Sequence, residues 1–137
     1  MNRATREDLQ QYRTLRGRVT AWQTALARLQ RETAQMRRDG ETMDGDGRRQ
    51  MESLAAQMND LVRMRAQALV EAESALARVE GFLASLPPGQ ADVIRLRYVE
   101  GARFCGWQKT ARLAGYSVDG AYNAHRLALK KLGQTQK

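Results

Sequence analysis

Cysteine, proline and aromatic residues are scarce in this chain of 137 residues. It contains one cysteine, Cys105, two prolines and 6% aromatic residues. A single cysteine cannot form a disulfide within the chain, which agrees with a reducing cytoplasm. The sequence shows no secretory signal, and no apolar run approaches the roughly 18 residues that a membrane-spanning helix needs. We therefore expect a cytoplasmic protein without a membrane partner.

The sequence also lacks the residue groups that would carry catalysis or bind a metal. It shows no nucleophile–base pair, carboxylate dyad, metal-ligand cluster or phosphate-binding loop. The one histidine, His125, has no second ligand at metal-binding spacing, which favours a packed, hydrogen-bonded role. The acidic Asp44–Gly47 segment is followed by arginines, which favours a disordered loop over a calcium site. The prediction is a non-enzyme with no cofactor and no metal.

Positive charge is in excess and is unevenly distributed. The formal net charge is +8, and residues 91–137 hold nine Lys/Arg against three Asp/Glu, leaving fourteen against twelve in residues 1–90. Lysine and arginine that neutralise phosphates make nucleic-acid binding strong and salt-dependent. A solvated basic face or an anionic membrane surface would fit the charge equally well, so the charge alone identifies no partner.

Apolar residues in the first 85 positions predict a long helical hairpin. Thr5 and Asp8 resemble a capping box, and glycines near residues 40 and 45 end the first helix near residue 38. Spacings that alternate between three and four residues are typical of a left-handed coiled-coil seam. In the first helix this row is Tyr12, Leu15, Val19, Trp22, Leu26, Leu29, Thr33 and Met36.

The second helix carries a wider apolar stripe. Its main row is Met51, Leu54, Met58, Leu61, Arg65, Ala68, Ala72, Ala75, Val79, Phe82 and Leu86, widened by Val62, Leu69, Leu76 and Leu83. So wide a face predicts an antiparallel hairpin whose leftover flank is buried against a second copy, which would make a homodimer. The alternative is a monomer whose flank packs on the C-terminal segment. The residues assigned to the hairpin or oligomer seam are Leu15, Val19, Trp22, Leu26, Leu29, Leu54, Met58 and Leu61.

The C-terminal third predicts three short helices. Pro87 or Pro88 opens the first helix and Gly101 closes it. Further along, a small residue stands where two helices would cross and a glycine where a tight turn would need positive φ; these are Ala111 and Gly115. This spacing predicts a helix-turn-helix, although a helical hairpin that binds no nucleic acid would show it too.

The second helix of that motif has two distinct faces. Its buried stripe is predicted to be Val118, Ala121, His125, Ala128 and Leu132. Asn and Arg have bidentate geometry for adenine and guanine edges, while Tyr and Lys can bind phosphates. Asp119 is favoured as a first-turn acid over a cytosine contact, and Tyr122 could equally be partly buried. The predicted DNA-binding residues are Ser117, Asp119, Tyr122, Asn123, Arg126 and Lys130.

Two segments resemble a known family. LPPGQADVIRLRYVEG and ARLAGYSVDGAYNAHRLALKKL are similar to the DNA-binding region-4 domain of bacterial sigma factors. Residues 86–132, and more weakly the N-terminal half, resemble small phage-encoded late-gene transcription regulators of the ArpU and RinA type. The resemblance implies that the helix from Val118 to Arg126 reads DNA. This chain departs from the pattern at Thr110, where an aliphatic residue is usual, and through three extra residues, Phe104, Cys105 and Gly106.

The sequence thus predicts an all-α protein with two parts. Residues 1–85 form a coiled-coil hairpin for oligomerisation or partner binding, and residues 86–137 form a sigma region-4-like module. The predicted function is sequence-specific binding of double-stranded DNA by a phage or prophage transcriptional regulator, with RNA polymerase as a second candidate partner. The alternatives are the DNA-recognition subunit of a phage packaging machine, and a helical interaction module that binds RNA polymerase.

Overall fold

The computed structural model describes residues 3–101 and 106–132, and within these ranges the regular structure is entirely helical. The five α-helices are α1 (Arg6–Glu41), α2 (Gly45–Ala84), α3 (Pro88–Ile94), α4 (Trp107–Ala114) and α5 (Val118–Lys130). A π-helical segment, Arg95–Val99, continues α3. The all-α expectation is confirmed. Cys105 and Phe104, part of the predicted extra segment, lie outside the described residues.

The start of α1 is fixed by a reciprocal pair of hydrogen bonds. The backbone N–H of Asp8 donates to Thr5 Oγ1 at 3.1 Å, and the backbone N–H of Thr5 donates to Asp8 Oδ2 at 3.0 Å. Each bond satisfies a backbone donor that has no partner within the helix. The predicted capping box is confirmed, and α1 runs three residues past its predicted end.

The connection between the two long helices is shorter than the sequence suggested. Gly45 has a φ of 59°, and α2 begins at this residue. The prediction of a disordered loop over Asp44–Gly47 is therefore wrong. Asp46 lies in the first turn of α2, where a carboxylate is stabilised by the positive end of the helix dipole.

One compact unit comprises Arg18–Glu73, in which α1 and α2 pack together. Its buried seam holds Val19, Leu29 and Thr33 of α1 and Ala55, Leu69 and Ala72 of α2. Gln23 Nε2 donates a hydrogen bond to Glu73 Oε2 at 2.9 Å between the two helices. Packing of α1 against α2, which the apolar rows predicted, is thus present.

The seam of α2 differs in part from the row that the sequence favoured: it contains Ala72 of the predicted main row, Leu69 of the widening residues, and Ala55, which the predicted stripe did not include. Leu54 is 41% exposed, and Arg65 and Ala68 are exposed as well, whereas Ala55 and Leu69 are buried. Leu54 therefore lies outside the α1–α2 seam of the single chain, and its assignment to an oligomer surface stays a prediction. Two adjacent apolar rows run along α2, about 100° apart around the helix, and spacing alone does not tell which row faces α1.

The other row members divide between the seam and the surface. Trp22 is 39% exposed, so it also lies at the edge of the seam rather than within it. Leu15, Leu26, Met58 and Leu61 are half-buried.

The second compact unit joins the described residues up to Gly17 with those from Ser74 onward. Its main core contains Leu9, Tyr12, Val79, Leu83, Leu86, Ile94, Tyr98, Val99 and Ala128. The first turns of α1 and the last turns of α2 therefore share a core with the C-terminal helices. A folding boundary near residue 85 stays a prediction.

Polar contacts reinforce this unit. Arg78 Nε donates to Asp8 Oδ2 at 3.1 Å, and the Tyr12 hydroxyl donates to Glu80. Partial burial alone would raise the pKa of Asp8, but hydrogen bonds from Arg78 and the Thr5 backbone together lower it below its usual value.

The end of α3 widens into the π-helical segment. The backbone N–H of Glu100 donates to Arg95 O at 2.8 Å, and Gly101 follows with a φ of 85°. The expected opening at Pro88 and closure at Gly101 are confirmed. Three consecutive side chains, Arg97, Tyr98 and Val99, are buried. No helix in the described ranges combines the length and apolar character that crossing a membrane would take.

Candidate nucleic-acid interface

The turn between α4 and α5 has the geometry that its glycine predicted. Gly115 has a φ of 78°, in the left-handed region, and the backbone N–H of Tyr116 donates to Ala111 O at 2.9 Å. Ser117 Oγ accepts a hydrogen bond from the backbone N–H of Gly120 at 3.0 Å. Two residues thus separate the helix stop from the first residue of α5, and Ser117 caps the start of that helix.

The inner side of α5 is made of alanines. Ala121 and Ala124 are buried in a cluster with Ala111 of α4 and Val93 of α3. Because alanine carries only a methyl group, α5 packs closely against both helices. The predicted buried stripe needs one correction: Val118 is 42% exposed, since it lies at the margin of this face.

The outer side of α5 carries five of the six predicted DNA-binding residues, and the sixth, Ser117, is the exposed N-cap of the helix. Asp119, Tyr122, Asn123, Arg126 and Lys130 are all exposed. At 3.6 residues per turn they span an arc of about 100° on one face of the helix. Arg126 Nη2 donates a hydrogen bond to Asn123 Oδ1 at 2.7 Å. The structure therefore gathers these five side chains on one polar surface, which we call the polar face of α5.

Tyr122 is held from one side although 56% of it is exposed. Its ring meets the Trp107 ring edge-on, with centroids 5.3 Å apart. Edge-to-face aromatic pairs are worth about 0.5–1.5 kcal/mol beyond the area that they bury. Trp107 thus limits where the Tyr122 side chain can point, while more than half of the residue remains exposed.

A cation buried beneath α4 supports this tryptophan. The Arg97 guanidinium carbon lies 3.9 Å from the Trp107 ring centroid, and Arg97 Nη1 donates to Thr110 Oγ1 at 3.4 Å. Thr110 is fully buried, and the hydrogen bond from Arg97 gives its hydroxyl a partner. The family resemblance leads one to expect an aliphatic residue at this position. Sequence reasoning missed Arg97 because its partners are 10 and 13 residues away and no local pattern joins them.

His125 is a packed side chain on the margin of α5. Its ring stacks on Tyr98, and its Nε2 lies 2.9 Å from the Tyr98 hydroxyl. Burial, with smaller contributions from Arg97 and Arg6, lowers the pKa of His125 to about 4. The imidazole is therefore neutral at pH 7. The hydrogen-bonded role is confirmed, and the described residues contain no cluster of metal-ligand side chains.

No family model, curated protein or solved structure matches this chain.

Proposed function

We propose that this chain is a sequence-specific DNA-binding transcriptional regulator of phage or prophage origin. In this proposal α4 and α5 form a helix-turn-helix, and α5 enters the major groove of double-stranded DNA. The observation that carries the proposal is the division of α5 into a buried alanine side and the exposed polar face. A helix must be fixed to its module by one side and be free of protein on the other to read a groove.

The side chains of the polar face can contact base edges and phosphates in the major groove of DNA. Asn123 can make a bidentate contact with adenine, and Arg126 with guanine, while Tyr122 and Lys130 reach phosphates. The hydrogen bond between Arg126 and Asn123 places the Asn123 amide beside the Arg126 guanidinium, so the two groups can contact neighbouring base pairs. Asp119 lies in the first turn of α5, where it stabilises the helix dipole.

The turn and the local charge support the same proposal. Gly115 and Ser117 give α4 and α5 the short, capped connection that a helix-turn-helix needs. The +6 excess over residues 91–137 adds favourable interaction with phosphates. The phage origin and the role in transcription come from the resemblance to sigma region 4 and to phage late-gene regulators.

Selection of bound fragments from the source genome tests the proposed function. We expect the purified chain to enrich a small set of duplexes that share a motif, and to bind them at least about 1,000-fold more tightly than random duplex. Equal binding to enriched and random fragments across a salt series would contradict sequence-specific recognition.

We further propose that the regulator is a homodimer. Within Arg18–Glu73, large apolar side chains are left on the outside of the single chain, including Trp22, Leu54, Met64 and Val70. Burial of such side chains against a second copy would remove them from water and give the protein two DNA-binding modules.

A second candidate function is docking on RNA polymerase. It is favoured by three exposed apolar side chains around the α4–α5 turn, Leu113, Tyr116 and Val118. Binding measurements with purified bacterial RNA polymerase separate the two functions. Polymerase binding that is weakened by Leu113→Ser, in a protein that binds no duplex at low salt, would favour docking alone.

A further inference from the structure

A cationic groove lies beside α5 in the unit that contains the first turns of α1. Its lining residues are Arg6, Tyr122, His125, Arg126, Leu129 and Lys130. Five of these belong to α5, and Arg6 is the first residue of α1. The long N-terminal helix therefore contributes a cation to the surface that the sequence assigned to α5 alone.

In the part of the chain that the structure describes, the three cations of this groove form no ion pair with a carboxylate. Within residues 3–101 and 106–132, neither Arg6, Arg126 nor Lys130 forms a salt bridge, whereas Arg48, Arg49, Arg63, Arg78 and Arg95 do. The six lining residues include no acid. Such a groove attracts an anion without first having to break an internal ion pair.

The rest of the lining fits a phosphodiester. Leu129 and His125 are half-buried, and the His125 imidazole is neutral at pH 7, so the groove combines an uncharged part with cationic sides. Tyr122 brings a hydroxyl that can donate to a phosphate oxygen. A sugar–phosphate chain presents the matching combination of anionic oxygens and less polar sugar.

We propose that Arg6 and Lys130 hold one backbone phosphate of double-stranded DNA in this groove, next to the base pairs that Asn123 and Arg126 contact. The inference rests on the proposed DNA-binding function and extends it to α1. Arg6 then acts as a positioning contact. It fixes the angle at which α5 enters the major groove of the DNA, and it does not distinguish one base sequence from another.

Fluorescence anisotropy with two labelled 30-base-pair duplexes tests this contact, one duplex of random sequence and one carrying the enriched motif. We expect Arg6→Ala to weaken binding of both duplexes by the same factor, about three- to tenfold at 100 mM salt. The slope of log K against log salt should fall in magnitude by about 0.9, the value for one phosphate contact. Arg6→Lys should recover most of the affinity, because it keeps the charge.

Arg31→Ala is the matched control. Arg31 is also an exposed arginine of α1, so Arg31→Ala removes the same charge from the same helix. It lies outside the unit that contains the groove, so it should not contact the bound phosphate. Its affinity and salt slope should equal those of the unmodified protein. Circular dichroism should show equal helix content and thermal midpoint for all variants.

The outcomes separate this inference from the proposed function. If the unmodified protein binds neither duplex at 50 mM salt, the proposed function fails and the phosphate contact fails with it. If it binds and Arg6→Ala matches the unmodified protein or Arg31→Ala, only the phosphate contact is wrong. An equal loss on a 30-nucleotide single strand would show a general polyanion site and overturn the assignment to duplex DNA.

Discussion

The hydroxyl of Tyr98 and Nε2 of His125 lie 2.9 Å apart, and the two rings are stacked with an interplanar angle of 7°. This pair joins α5 to the π-helical segment through a histidine whose pKa is lowered to about 4. The folded protein therefore holds the neutral imidazole, while the unfolded chain takes up a proton near pH 6.5. Between those pH values the unfolded state binds more protons than the folded state.

We predict that the free energy of unfolding falls as the pH is lowered from about 6.5 towards 4. His125→Gln, which cannot titrate and keeps a hydrogen-bonding side chain, should remove most of this dependence. Asp8 contributes in a separate window, because its lowered pKa adds stability that is lost only below about pH 4. Urea unfolding at pH 7.0, 6.0 and 5.0 measures the effect. Parallel pH profiles for both proteins would contradict it.

Two glycines are expected to respond in opposite directions to replacement by alanine. Gly115 has a φ of 78°, so Gly115→Ala should cost about 1–2 kcal/mol of stability. Gly17 lies inside α1 with open space around it, so Gly17→Ala should stabilise the protein by roughly 0.5–1 kcal/mol. Thermal and urea unfolding of the two variants provide the comparison. If Gly115→Ala stabilised the protein, residue 115 would not adopt the left-handed backbone conformation.

Two leucines of α2 should separate the hairpin seam from the proposed dimer surface. Leu69 is buried and Leu54 is largely exposed within the single chain. Leu69→Asp should unfold the hairpin, because it places an unpaired charge in the seam at a cost of several kcal/mol. Leu54→Asp should keep the helix content and shift the mass in solution from dimer to monomer.

Circular dichroism measures the loss of helix, and light scattering measures the change from dimer to monomer. A monomeric unmodified protein would contradict the homodimer, and a ring of eight or more copies would favour a packaging subunit. Loss of helix in Leu54→Asp would show that its row, rather than the row of Leu69, faces α1.

Features set by neighbouring residues were predictable from the sequence. The Thr5–Asp8 capping box, the Pro88 start, the left-handed Gly115 and the Ser117 cap each depend on backbone groups within four residues. Because neighbouring residues determine these features, the local sequence pattern is enough to predict them. The inward alanines of α5 follow from helical periodicity in the same way.

Features set by distant residues were not predictable. The sequence contains two adjacent apolar rows in α2, and only packing against α1 selects the row of Leu69 over that of Leu54. The contact of Arg97 with Trp107 depends on how the π-helical segment meets α4. Arg6 belongs to the groove beside α5 because the chain returns through α2, which no local pattern encodes.

The central claim is that the polar face of α5 reads bases, and one set of affinities tests it most directly. Binding of an enriched and a random duplex should be measured for the unmodified protein, Asn123→Ala, Arg126→Ala and Lys130→Ala. We predict that Asn123→Ala and Arg126→Ala each lose about 1–3 kcal/mol on the enriched duplex and little on the random one, whereas Lys130→Ala weakens both alike. Equal losses on both duplexes for all three variants would contradict base reading by α5.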